Sequence, residues 1–234
     1  SIVSHMTMIF EVRSIYRLQD IKHNPVISSF ISLLKGSPFI GDLIDDSLEC
    51  ALTELQSKKQ QQLLEVIGNA PIGTITSAMV NDVEFIMNFA RTRDAVNRLS
   101  NGDKVKFYGN LLVKGYLSER DKISTDEFEE YLEIINSLSY RELEYLSFFK
   151  KFSNEYGGRL EYQNWEKFKI EFRNKFSDRD ADSVFKRLQR TGFISEVRET
   201  GNIEGGIFVL DNSLIGFETE SEFSQFNEIV LENL

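Results

Sequence analysis

The chain has 234 residues, 41% of them apolar and 27% charged, with a formal net charge of −10. That length allows a substantial core in one large or two small domains, and the composition excludes gross disorder. A single cysteine, Cys50, excludes an internal disulfide, and with only His5 and His23 beside it a Cys/His zinc site lacks ligands.

Residues 1–6, Ser-Ile-Val-Ser-His-Met, read as an expression remnant, which removes His5 from any functional argument. No cationic segment with an apolar run and a small-residue cleavage site opens the chain, so a cytoplasmic location is expected. Residues 8–20, MIFEVRSIYRLQD, read as a short helix, with a strand as the alternative. Pro25 opens PVISSFISLL, and Gly36-Ser37-Pro38 interrupts it. Because Lys35, Gly36 and Pro38 break residues 25–44, the segment falls short of a membrane span and reads as a buried helical hairpin. Conditional membrane insertion is the alternative, with the uncharged residues 66–81 as a second such element. From Gly41 to Ile67, the positions Leu43, Ile44, Leu48, Ala51, Leu52 and Leu55 follow helical spacing, which makes Cys50 a small core hydrophobe. Gly68 stops this helix, and residues 69–81 read as a loop with helical or extended fragments.

Further helices are expected to start at Asp82, Asp103 and Ser124. VEFIMNFARTRDAVNRL ends before Asn101-Gly102. KVKFYGNLLVKGYL places Val105, Tyr108, Leu112 and Tyr116 on one face. Ser124 with Glu127, and Ser139 with Glu142, have the spacing of a capping box, in which two side chains satisfy orphan backbone N–H groups. The first half thus reads as a helical domain over residues 1–137.

From Ser139 the pattern changes. YRELEYLSFFKKFSNEY carries a buried stripe of Leu143, Leu146, Phe149 and Phe152, and Gly157-Gly158 ends it. Asn164 is the expected cap of WEKFKIEFRNKF, and Ser177-Asp178 the cap of ADSVFKRLQRTGF, whose Val184, Phe185 and Leu188 point inward. After Gly192, FISEV reads as a strand, ETGNIEGG as a loop and IFVL as the returning strand; SEFSQFNEIVL adds a closing helix. This order predicts a mainly α chain: an N-terminal helical bundle, then a C-terminal winged-helix (α+β) domain with a small β-hairpin over residues 138–234.

Charge is uneven along that second half. Leu138–Arg198 holds 13 Lys/Arg and 10 Asp/Glu, whereas residues 199–234 hold eight acids and no base. A DNA-reading winged helix would present Asp178–Arg190 to the major groove, with Arg179, Lys186, Arg187 and Arg190 on phosphates and Asn202 in the wing. Asp178, Asp180 and Asp182 in its first turn suit the helix dipole but repel phosphate. The same exposed positions therefore read first as a contact with a protein partner or another copy of the chain, and second as a DNA contact.

Chemistry has few candidates. His23 lies beside Asn24-Pro25 and reads as a loop residue rather than a base. Asp45-Asp46 and Glu127, Glu129 and Glu130 are carboxylate clusters whose neighbours diverge around a helix, so solvated faces are expected instead of a metal site. Gly201, Gly205 and Gly206 lack a following Lys-Ser/Thr, so no phosphate loop and no cofactor is expected. Tyr156, Tyr162 and Trp165 read as interdomain packing. The chain is expected to be non-enzymatic.

The runs FARTRDAVNRLSNGDKVKFYGNLLVKGYL and ISTDEFEEYLEIINSLSYRELEYL resemble bacterial proteins of the abortive-infection alpha type, over residues 40–195. The resemblance implies a link to phage defence or a prophage, brings no site residue with it, and leaves a membrane-perturbing effector as a third expectation.

Overall fold

The computed structural model describes residues 58–69, 82–100, 102–117, 122–177, 179–199, 202–204, 207–209 and 213–232. Expectations for residues 8–57 and 70–81, including His23, Asp45-Asp46 and Cys50, lie outside them. The chain divides between Ser137 and Leu138 into two compact units.

Described elements of the first unit are helical: α1 (Lys58–Gly68), α2 (Val83–Arg98), α3 (Val105–Leu112) and α4 (Thr125–Ser137). Asp82 starts α2, its side chain accepting the Glu84 N–H at 3.1 Å and the Tyr116 hydroxyl at 2.8 Å. Ser124 and Glu127 exchange the two bonds of a capping box at the start of α4. The start expected at Asp103 falls early, because α3 begins at Val105 after Lys104, which makes no side-chain capping bond. Beyond α3 the chain makes a π-helical turn, Val113–Leu117. Val105, Tyr108, Leu112 and Tyr116 are buried, but so are Phe107 and Leu111. A helix buried on more than one face is enclosed by neighbours, and α3 packs against α1, α2 and α4.

The second unit runs α5 (Tyr140–Asn154), β1 (Arg159–Glu161), α6 (Tyr162–Phe176), α7 (Ala181–Leu188), β2 (Ile194–Arg198), β3 (Asn202–Glu204), β4 (Ile207–Val209), β5 (Leu214–Thr219) and α8 (Ser221–Phe226). Its three-stranded antiparallel sheet has the order β1-β5-β2, with β3 and β4 forming a separate hairpin. The described chain is therefore mainly helical with a small antiparallel sheet.

Four local expectations change. Strand β1 was not expected, since three residues give no alternation to detect. It pairs with β5 from Arg159↔Glu218 to Glu161↔Gly216. That pairing fixes the chain as far as Glu161, so α6 starts at once at Tyr162, whose φ is 48°, and Asn164 lies inside the first turn instead of capping it. Ser177 closes α6 with φ 54°, and Asp180 caps α7 by accepting the Ser183 N–H at 3.2 Å. The returning strand is β5, not IFVL: β4 pairs with β3, while β5 supplies Phe217, 0% exposed, to the core between β1 and β2. Ile215 stands opposite no residue of β1 or β2, at a register shift where Arg198 faces Leu214 and Val197 faces Gly216.

Gly216 is required by space. A Cβ there would lie 1.9 Å from the Leu160 carbonyl oxygen, so any side chain would push β1 off β5. The core is built from rings: Phe185 of α7 lies 4.9 Å from Phe149, 5.3 Å from Phe168, 5.7 Å from Phe172, 5.8 Å from Trp165 and 5.9 Å from Phe217. Each ring removed from water contributes about 1.5–3 kcal/mol. Helix α8 closes the unit by placing Phe223 and Phe226 at 5.2 and 4.5 Å from Phe193.

Candidate functional site

Helix α7 has an inner and an outer side. Ala181, Val184, Phe185 and Leu188 are buried, which leaves Ser183, Lys186 and Arg187 exposed. Lys186 and Arg187 form no ion pair among the described residues. Arg190, in the 3₁₀ turn Gln189–Thr191, donates to Glu142 Oε1 at 2.9 Å and to the Arg187 carbonyl at 3.0 Å. It is thereby drawn back onto α5 and leaves the cationic set expected from the sequence. Arg179 is exposed just before the Asp180 cap. Asn202 begins β3 and pairs with Val209, so the structure places it on the hairpin and not on the helix face.

The carboxylates at the start of α7 are engaged. The Ser183 hydroxyl, then its backbone N–H, hold the Asp180 carboxyl below its ordinary value against slight desolvation. Asp182 accepts the Trp165 indole N–H at 2.9 Å and faces Lys169 Nζ at 3.7 Å. Desolvation pulls the Lys169 ammonium down, but Glu166 and Asp182 outweigh it and hold it above its ordinary value.

An open groove of about 830 Å³ runs along this joint. Tyr162, Trp165 and Ile170 of α6, with Leu214 and Ile215 of β5, form its apolar lining; Lys167 of α6 and Lys186 of α7 also line it. Trp165 is 3% exposed and belongs to the core of its own unit, stacked on Phe168 at 5.1 Å. Tyr162 and Ile170 stand out at 53% and 58% exposure.

Of the groove residues, only Lys186 was singled out from the sequence as a contact. Ile170 carried a legible signal: it lies off the stripe formed by Trp165, Phe168 and Phe172, so an apolar side chain there faces away from the core. Ile215 carried none, because its position depends on the register shift.

Elsewhere, Glu127 is used in its capping box and Glu129 pairs with Arg91. Among the described residues no group of His, Cys, Asp or Glu is arranged to hold a metal ion, and no helix is long and apolar enough to cross a membrane. No family model, curated protein or solved structure matches the chain.

Proposed function

We propose that the second unit is a winged-helix module that serves as a protein-docking device. Its element order supports that fold: helix, strand, two helices, strand, a long excursion, and a last strand that inserts between the first two. On this reading α7 is the presented helix and the β3–β4 hairpin occupies the position of the wing.

The observation that carries docking is the groove. Four large apolar side chains are exposed among the described residues, and two of them, Tyr162 and Ile170, line the same groove. Apolar side chains gathered in one concavity gain from a partner that removes them from water. The resemblance of residues 40–195 to the abortive-infection alpha type supports placing the device in phage defence.

The test is capture by the immobilised full-length chain from bacterial extract, with and without nuclease, beside a folded Tyr162→Ser/Ile170→Asp variant. A protein retained by the wild type, insensitive to nuclease and depleted on the variant, is expected. Identical retention on both, or loss of all retention after nuclease treatment, defeats the docking function.

Duplex binding is the second reading, favoured by the exposed Lys186 and Arg187 and by the ion pair of Asp182 with Lys169, which offsets one of the carboxylate charges at the start of α7. It predicts salt-dependent anisotropy with a labelled duplex, lost in Lys186→Ala/Arg187→Ala.

A further inference from the structure

Resting on the docking function proposed above, we infer that the groove takes an extended acidic segment of a partner protein. The segment is about four residues long, with an aliphatic or aromatic side chain between its carboxylates.

The charges on the walls fix the sign of the occupant. Glu166 and Asp182 both pair with Lys169, and Asp182 also accepts the Trp165 indole N–H. These groups satisfy one another. Lys167 and Lys186 are left exposed, without an ion pair among the described residues, and both belong to the lining of the groove. Three lysines against two carboxylates give the lining a charge of +1 in a chain of net −10, while at its margin Glu199 bonds the Tyr162 hydroxyl and Glu196, which pairs with Arg198, acts on Lys186, so the attraction is local to the lysine head groups. An acidic segment is therefore attracted here and repelled by most of the remaining surface, which sets its position as much as its affinity.

The floor fixes the rest of the chemistry. Ile170, at 58% exposure, and Ile215 gain only from an apolar contact, so a partner side chain suits them better than a phosphate backbone does. Tyr162 to Ile170 spans about 12 Å of helix at ~1.5 Å per residue. An extended chain covers that distance in about four residues at ~3.3 Å each. β5 runs beyond the end of β1, and Ile215 has no opposite residue in either neighbouring strand, so the groove is bordered by strand edge of the kind to which extended segments add.

The experiment uses the full-length chain and a short fluorescein-labelled peptide alternating Asp or Glu with Leu and Phe, beside a counterpart with Lys in place of each acid. A saturable anisotropy rise is expected for the acidic peptide alone. It should weaken about tenfold in Lys167→Glu/Lys186→Glu and fall further in Ile170→Asp, with far-ultraviolet circular dichroism unchanged. No saturation by ~1 mM peptide, equal binding of the lysine counterpart, or indifference to the lysine reversals would overturn the inference. If the acidic peptide fails while capture still depends on Tyr162 and Ile170, the acidic class is wrong and docking stands; if capture itself is indifferent to those residues, docking falls.

Discussion

Trp165 donates its indole N–H to Asp182 Oδ1 at 2.9 Å, joining the buried face of α6 to the first turn of α7. The bond positions the wall of the groove as well as the core beneath it. Trp165→Phe keeps an aromatic ring in the core, though a smaller one, and leaves Asp182 with Lys169 alone. A loss of about 1–2 kcal/mol is expected, read as a lower urea midpoint at unchanged slope.

Phe185 meets five aromatic rings and is fully buried. Truncation leaves a cavity that rigid rings on all sides cannot fill. Phe185→Ala should cost about 3–5 kcal/mol, measured by denaturant unfolding followed through the fluorescence of Trp165.

The capping box at the start of α5 ties stability to acid. Partial burial opposes ionisation of Glu142, but the Ser139 N–H, the Arg190 guanidinium and the Ser139 hydroxyl outweigh it and hold the carboxyl below its ordinary 4.5. A lowered folded value contributes stability that is complete above the unfolded value and disappears as the pH falls through the folded one. Ser139→Ala should cost about 1 kcal/mol near neutrality, and its deficit should shrink in melts taken at decreasing pH.

Lys150 behaves in the opposite sense. Its Nζ donates to Ser224 Oγ at 3.0 Å and lies 5.6 Å from the Phe223 ring centroid. Desolvation holds the ammonium below its ordinary 10.5, against a partial pull from Glu228. Below the folded value the buried charge subtracts stability, and that subtraction is relieved as the pH rises towards 10.5. Ser224 is exposed and can turn to water, so Lys150→Met should raise the melting temperature at about pH 7, with a smaller gain at about pH 10.

Short-range signals were legible in the sequence and pairing was not. The capping boxes at Ser124 and Ser139, the buried stripe of α7 and the stop at Gly192, whose φ is 74°, each depend on residues within a turn of one another. Strand β1 has three residues and acquires its identity from β5, so RLE alone said nothing. IFVL had the composition of a returning strand, yet the sheet closes on LIGFET, where Phe217 meets Trp165 and Phe185. The groove draws on α6, α7 and β5, and its exposed Lys167 and Lys186 separate from the tethered Arg190 only because Glu142, 48 residues away in the chain, lies beside that arginine. Local chemistry predicts elements, whereas a site assembled from three segments waits on the register that joins them.

The sheet order also sets a timetable. Arg159 of β1 finds Glu218 only after 59 further residues have been added, whereas the described helices of the first unit join over shorter spans of chain. Contacts so distant along the chain slow closure, and synthesis delivers the amino-terminal unit first. Phe149, Phe168, Phe172 and Phe185 can pack on one another before that closure, whereas the faces of Trp165 and Phe185 that meet Phe217 stay open until the last strand inserts between its two partners.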